Sequence, residues 1–108
     1  MLPLDPKSRA TPTYDLERIQ QLVGQGPITF RFTTAALHGA AALDLSENDI
    51  VEAVLSLTSS CFYKSMESER LPGLWQDVYH LTYRGVVLYL KVQIDQSGRA
   101  VVVQCKEK

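Results

Sequence analysis

Three segments that alternate apolar and polar residues, separated by two short glycine-containing turns, dominate the last third of the chain. They span about Gln76–Tyr83, Val86–Ile94 and Ala100–Lys106, and all are rich in β-branched and aromatic residues. The pairs Arg84–Gly85 and Ser97–Gly98 suit two-residue hairpin turns, because glycine tolerates a positive φ. The pattern therefore predicts three consecutive antiparallel strands.

The preceding residues predict three helices and one more strand, so the element order is α, β, α, α, β, β, β. Thr13 is the expected N-cap of the first helix and Gly24 its expected terminator. Ser46 and Asp49 have the spacing of a capping pair for the third helix. The predicted elements are helix Tyr14–Val23, strand Ile28–Phe32, a short helix from Thr33 or Thr34 through Ala42, and helix Glu47–Leu57.

This order indicates an α+β fold, an antiparallel sheet with helices packed on one face. A length of 108 residues suits one domain, which we place at residues 13–108. Residues 1–12 contain three prolines and few apolar residues, and we expect a flexible or loosely docked N-terminal arm. The charged and turn-forming stretch Glu67–Gly73 is expected to be an exposed loop.

Composition bounds the environment and the partners. Mean hydropathy is −0.07, and neither a membrane span nor a secretion signal is recognisable, so a cytoplasmic protein without a membrane partner is expected. Cys61 and Cys105 match no metal or redox spacing, which suits a reducing compartment and predicts no metal. The net charge is −1, but residues 61–108 carry seven basic and five acidic side chains. This distribution favours a local anion site over a strong overall field.

Strand parity separates the two faces of the predicted sheet. A two-residue turn at Ser97–Gly98 would pair Gln96 with Arg99, and a two-residue turn at Arg84–Gly85 would pair Tyr83 with Val86. The apolar pairs expected from these turns are Ile94 with Val101, Val92 with Val103, Leu90 with Cys105, Leu81 with Leu88 and Tyr79 with Leu90. The opposite face pairs Gln93 with Val102, Lys91 with Gln104 and Tyr89 with Lys106, and it also carries Gln76 and His80.

This second face combines groups that suit phosphate chemistry. If Phe62–Met66 is also read as a strand, Lys64 joins the set. Lysine binds phosphate oxygens, and we expect a tyrosine beside two lysines to have a lowered pKa. His80 is the candidate acid or base by residue type. Such a set suits attack of a 2′-hydroxyl on the neighbouring phosphodiester, although a sheet face of polar residues can also be merely solvated.

Four short motifs resemble the MqsR (motility quorum-sensing regulator) toxin family. They are Phe62-Tyr63-Lys64-Ser65-Met66, Trp75-Gln76-Asp77-Val78-Tyr79, Tyr89-Leu90-Lys91 and Lys106-Glu107-Lys108. The resemblance implies a fold similar to RelE-type toxins and ribosome-independent cleavage of messenger RNA without a cofactor. It also implies a cognate antitoxin, MqsA-like, as partner.

The resemblance implies roles for individual residues. The catalytic residues would be Lys64, Gln76, Tyr89 and Lys106, while Tyr63 and Met66 would help to bind RNA. His80 and Lys91 are further candidates for catalysis or phosphate binding. His80 stands where the family often has arginine, and the pI of about 6.1 is low for the family. A second hypothesis is therefore a non-catalytic homologue that binds a protein or a nucleic acid.

Overall fold

The structure, a computed structural model, describes residues 7–108. The helices of this part are α1 (Leu16–Gly24), α2 (Thr34–Ala41) and α3 (Glu47–Leu55), with a 3₁₀ turn at Ser59–Cys61. Its strands are β1 (Ser8–Arg9), β2 (Phe30–Phe32), β3 (Phe62–Glu67), β4 (Trp75–Tyr83), β5 (Val86–Ile94) and β6 (Ala100–Glu107). None of the helices in this part of the chain is long and apolar enough to cross a membrane.

The α+β fold class is confirmed. Within residues 7–108 the strands form one sheet in the order β1-β3-β4-β5-β6-β2, antiparallel except where β2 runs parallel to β6. Buried helix residues such as Ile19, Ala40 and Ile50 share one core cluster with Leu90 and Cys105 from the sheet. One sheet face is therefore covered by helices. The opposite face, called the open face below, contributes no residue to this core cluster. The likeness to RelE-type toxins stays a prediction.

The sheet contains two strands that the predicted element order lacked. Strand β3 confirms that Phe62–Met66 is extended, and its backbone pairs with β4. Strand β1 lies in the segment expected to be a loosely docked arm, where Ser8 and Arg9 pair with Met66 and Ser65. The guanidinium of Arg9 stacks on the Trp75 ring at 3.5 Å. Residues 1–6 of the expected arm lie outside the described residues.

The helix caps differ from prediction in the first helix and agree in the others. Helix α1 begins at Leu16 and not at Tyr14, because the side chain of Asp15, not that of Thr13, accepts the capping hydrogen bond from Glu17 N. The backbone takes its positive φ at Gly26, not at Gly24. Ser46 and Asp49 form the predicted capping box of α3. Thr33 caps α2, and its hydroxyl also donates to the Val103 carbonyl at 2.6 Å.

Thr13 does not cap α1 but is bound to strand β4 through the side chain of Asp77. The fully buried Asp77 carboxylate accepts hydrogen bonds from Thr13 N at 3.0 Å and Tyr14 N at 2.9 Å. Tyr14 in turn donates its hydroxyl to the Trp75 carbonyl at 2.6 Å. Buried carboxylates need such partners, and here backbone N–H groups supply them. Asp77 thus fixes the start of α1 against strand β4.

We expect Asp77→Asn to lower the free energy of unfolding by about 1–3 kcal/mol, because the amide exchanges a charged acceptor for a donor that faces other donors. Denaturant unfolding followed by circular dichroism measures the change. Asp44→Asn is the matched control, since Asp44 is exposed in a loop. Equal stability of the two variants would show that the Asp77 hydrogen bonds contribute nothing net.

The predicted register is correct along the β4–β5 hairpin and along half of the β5–β6 hairpin. Tyr83 pairs with Val86, and Arg84 and Gly85 have the positive φ values that the two-residue turn requires. Tyr79 and Leu81 pair with Leu90 and Leu88. Toward the far end of β6, Tyr89 pairs with Lys106, Leu90 with Cys105 and Lys91 with Gln104, all as predicted.

The other half of the β5–β6 register was predicted wrongly, because β6 contains a bulge at Val103. The observed pairs are Val92 with Val102, Gln93 with Val101 and Ile94 with Ala100. Gln96 does not pair with Arg99. A five-residue loop from Asp95 to Arg99 replaces the two-residue turn. Asp95 organises it by accepting hydrogen bonds from Ser97 N, Ser97 Oγ and Arg99 N. Val102 therefore joins the core, and Val101 lies on the open face.

Candidate nucleic-acid cleavage site

The open face carries the predicted site residues in three rows that run across the strands. The rows are Tyr63, His80, Tyr89 and Lys106; then Lys64, Val78, Lys91 and Gln104; then Met66, Gln76, Gln93 and Val101. Adjacent rows are two residues apart along β4 and β5, or about 7 Å. One nucleotide of an extended single strand covers a similar length.

A second bulge brings two consecutive residues of β3 to this face. Phe62 pairs with Tyr79 and Lys64 with Val78, so Tyr63 is the extra residue. Phe62 packs on the Tyr79 ring on the core side, whereas the Tyr63 ring stacks on His80 at a centroid distance of 4.4 Å. The bulge thus lets Tyr63 and Lys64 face the same side, which an unbroken strand would forbid.

Tyr89 lies at the centre of the cluster. Its ring centroid is 5.0 Å from Lys106 Nζ, 5.9 Å from Lys91 Nζ and 6.0 Å from the His80 ring. The Tyr89 hydroxyl contacts Met66 Sδ at 3.8 Å, so its side chain leans from the first row toward the third. The half-buried phenol of Tyr89 is thus surrounded by the ammonium groups of Lys91 and Lys106 and the imidazole of His80.

Lys64 and Gln76 occupy the border of this cluster. Lys64 Nζ is 5.5 Å from the Tyr63 ring centroid, and its charge helps to lower the pKa of Lys91. Gln76 is 8% exposed, and its Nε2 donates to Gln93 Oε1 at 2.9 Å. The side chain of Gln76 is therefore hydrogen-bonded to Gln93 and not to Tyr89. Gln104, opposite Lys91, accepts from the backbone N–H of Cys105 and is engaged with its own strand.

The electrostatic prediction for Tyr89 is wrong. Burial raises the pKa of Tyr89 above its ordinary value, and the nearby Tyr63 raises it further, so the lysines do not lower it. The two ammonium groups lie beside the ring and not at the hydroxyl, whose contact is with the thioether of Met66. Tyr89 therefore stays protonated near neutral pH and is a hydrogen-bond donor there.

Two other groups in the cluster have lowered pKa values. Burial lowers the pKa of His80, and the charge of Lys108 lowers it further. The main cause is burial, and the lysine whose charge acts on His80 is Lys108. Burial also lowers the pKa of Lys91, followed by repulsion from Lys106 and Lys64. His80 is thus neutral at pH 7 and able to accept a proton.

No role for Gln93 or for Asp77 was predicted from the sequence. Gln93 was placed on the polar face without a role, and its partner Gln76 becomes visible only in the folded sheet. Asp77 lies inside the Trp75–Tyr79 motif, but it points to the core side and holds Thr13. Among residues 7–108, no three His, Cys, Asp or Glu side chains are grouped as ligands for a metal ion.

Comparison with known proteins gives two concordant matches. Residues 11–107 match the family described as motility quorum-sensing regulator, toxin of MqsA. The chain is also similar to the mRNA interferase toxin MqsR of Escherichia coli (strain K12), with 32% identity over 100 residues. That alignment covers 93% of this chain and 98% of the relative. The matched residues 11–107 contain all three rows of the open face.

Proposed function

Because the chain belongs to the motility quorum-sensing regulator (MqsR) toxin family, we propose that it is an mRNA interferase toxin. In this proposal it is an endoribonuclease that cuts messenger RNA without the ribosome and without a cofactor. The observation that carries the proposal is the cluster around Tyr89 on the open face. Two lysine ammonium groups and the His80 ring, whose pKa is lowered, lie within 6.0 Å of the Tyr89 ring centroid. Cationic and proton-transferring groups on an accessible surface are what RNA cleavage requires.

The proposed reaction is transesterification within the RNA. The 2′-oxygen forms a bond to phosphorus while the bond from phosphorus to the 5′-oxygen breaks. A base takes the 2′-hydroxyl proton, and an acid gives a proton to the leaving 5′-oxygen. The products are a 2′,3′-cyclic phosphate and a 5′-hydroxyl, and negative charge builds up on the phosphate oxygens in the transition state.

The roles follow from the pKa directions. Tyr89, whose pKa is raised, would donate a proton or a hydrogen bond to the leaving oxygen or to the phosphate. His80, whose pKa is lowered, would accept the 2′-hydroxyl proton. The ammonium groups of Lys64, Lys91 and Lys106 would stabilise the developing charge. Gln76 would orient the nucleotide in the third row.

RNA binding is assigned to two residues of β3. Tyr63 is 55% exposed, and one face of its ring is already stacked on His80. The exposed part of the ring, beside Lys64 Nζ, would stack a base, a contact that is worth about 1–3 kcal/mol in single-strand binding. Met66, in the third row, would pack beneath another nucleotide, next to the Tyr89 hydroxyl. This arrangement suits single-stranded RNA, whose bases can be splayed out.

We expect the purified protein to cut a long RNA in the presence of EDTA. The Tyr, Lys and His groups supply both proton transfer and charge stabilisation, so the reaction needs no metal-bound water. Mapping of the 5′ ends and of the terminal phosphates would give 5′-hydroxyl and 2′,3′-cyclic phosphate ends. Loss of activity in EDTA with recovery on adding a divalent ion would contradict the proposed mechanism.

A second expected result concerns the pH dependence. If neutral His80 is the base, cleavage is lost as pH falls through the His80 pKa, which lies below its ordinary value. His80→Ala should then remove this acidic limb of the pH–rate profile and not simply scale the rate. His38→Ala, on helix α2, is the matched control. An unchanged pH–rate profile in His80→Ala would mean that His80 is not the base and only stacks on the Tyr63 ring.

The proposed biological setting is a type II toxin–antitoxin pair in the cytoplasm, where messenger RNA is found. The partner would be a cognate, MqsA-like antitoxin. Expression of the chain should arrest growth, and co-expression of the antitoxin should relieve the arrest by forming a complex. Arrest by the wild type but not by Tyr89→Phe would link toxicity to the cluster. Failure of every gene neighbour to form a complex would contradict this setting.

A further inference from the structure

An open groove adjoins the third row of the proposed site. Two adjoining cavities of about 800 and 380 Å³ share Arg31, Leu71, Leu74 and Gln93 in their linings. The smaller one also reaches Gln76, so the groove begins at a residue of the proposed catalytic set. Its walls are strand β2 and the loops that precede β4 and β6. The groove therefore continues the open face away from Tyr89.

The groove walls carry more positive than negative charge. Arg31 Nε and Arg99 Nε both lie 3.7 Å from Asp95 Oδ2, and their side chains stay 45% and 44% exposed. Two guanidinium groups that share one carboxylate keep a net positive charge. Arg70 adds a third guanidinium, which makes no ion pair within residues 7–108. Exposed guanidinium groups bind phosphate and stack on bases.

The groove floor presents a paired donor and acceptor. Gln76 and Gln93 are 8% and 6% exposed, and one hydrogen bond joins their amides. Two amides joined in this way leave one oxygen and one NH₂ group unused, whichever amide is the donor. No buried side-chain nitrogen or oxygen of residues 7–108 lacks a hydrogen-bond partner, so the unused pair reaches the water of the groove. An amide donor and acceptor side by side is the pattern with which proteins read a base edge.

We propose that Gln93, held against Gln76 at the floor of the arginine-lined groove, reads one base of single-stranded RNA next to the scissile phosphate. The Gln93 row lies about 7 Å from the Lys91 row, which places the base one nucleotide from the phosphate. Arg31, Arg70 and Arg99 hold the backbone of the same segment. The inference rests on the proposed ribonuclease function and adds a specificity-determining residue to it.

The test is the cleavage pattern of Gln93 variants on a long RNA. Gln93→Leu removes both hydrogen-bonding groups, and Gln93→Glu replaces the donor by an acceptor. We expect both variants to cut wild-type sites roughly 5- to 100-fold more slowly and to lose base preference at one position only. Gln21→Leu, exposed on helix α1, is the matched control. An unchanged cleavage sequence in both Gln93 variants would overturn the proposal.

A binding measurement separates this inference from the enzymatic one. Fluorescence anisotropy is measured with labelled single-stranded 12-nucleotide RNAs that differ in one base. Their 2′-hydroxyls are methylated and cannot attack the phosphate, so the measurement reports discrimination without cleavage. If the wild type cuts no RNA, the ribonuclease proposal fails, while discrimination lost in Gln93→Glu would still support base reading. Equal discrimination by wild type and Gln93→Glu overturns base reading, whether or not RNA is cut.

Arg70→Ala tests the groove without touching the buried amides. Because Arg70 would contact phosphate, the variant should bind all sequences more weakly and reduce the logarithmic salt slope by about 0.7 for one contact to single-stranded RNA. Base preference should stay as in the wild type. Thermal unfolding checks that each variant is folded, and a Gln93→Leu protein that fails to fold leaves Gln93→Glu and Arg70→Ala to decide. A salt slope identical to that of the wild type would place the RNA outside the groove.

Discussion

Tyr89→Phe should lower RNA cleavage by roughly 10²-fold or more, the scale of a lost acid or charge-stabilising group. The substitution removes one hydroxyl at the centre of the cluster and leaves the ring between Lys91 and Lys106. The only hydrogen bond it breaks among the described residues is the weak contact with Met66 Sδ. Stability should therefore change by less than about 0.5 kcal/mol. Single-turnover cleavage and denaturant unfolding measure the two quantities.

Lys64→Ala and Lys106→Ala should show comparable losses of cleavage, because each removes a cation from the developing phosphate charge. Tyr83→Phe controls for the loss of a tyrosine hydroxyl on the other side of the sheet, and Arg18→Ala for the loss of an exposed cation on α1. Wild-type rates in the three cluster variants would remove the proposed site from this face. A parallel loss of folding would make the cluster structural.

Gly39→Ala should destabilise the fold by about 3 kcal/mol or more, although alanine is the better helix former by about 1 kcal/mol. Helix α2 packs so closely on β6 that a Cβ at Gly39 would overlap the backbone carbonyl of Cys105. Backbone cannot turn aside as a flexible side chain can, so the helix or the strand has to move. Because Lys106 is the next residue of β6, we expect cleavage to fall as well.

Gly24→Ala is the matched control, because a Cβ at Gly24 meets only Leu55 Cδ2 at 4.0 Å. This variant should be neutral or slightly stabilising. Denaturant unfolding of both variants gives the comparison. A Gly39→Ala protein as stable as Gly24→Ala would mean that α2 does not approach β6 as closely as described.

The agreement between sequence and structure is best where one physical signal acts alone. The two-residue turn at Arg84–Gly85 predicted the pairs Tyr79 with Leu90 and Leu81 with Leu88, as observed, because the turn fixes the register and a one-residue slip would exchange the two faces. The Ser46 capping box was readable for the same reason, since its hydrogen bonds are local. Both signals involve residues close together along the chain.

The failures have long-range causes. Nothing in the run of valines Val101–Val103 indicates that β6 has a bulge at Val103. The Val103 carbonyl accepts a hydrogen bond from Thr33, which lies 70 residues away along the chain. The N-cap at Asp15 was missed because Thr13 is engaged with Asp77 across the fold. The pKa direction of Tyr89 depends on burial under neighbouring side chains, which strand parity does not report.

The two bulges show where strands β3 and β6 tolerate an added residue. Inserting one residue into a strand normally exchanges its two faces and ruins the core. At Tyr63 and Val103 the sheet holds an extra residue while the core pairs Phe62 with Tyr79 and Leu90 with Cys105 are kept. Both bulges adjoin the open face, one beside Lys64 and one beside the groove. Single-residue insertions and deletions at these points can therefore respace the RNA-facing side chains while the hydrophobic interior is inherited unchanged.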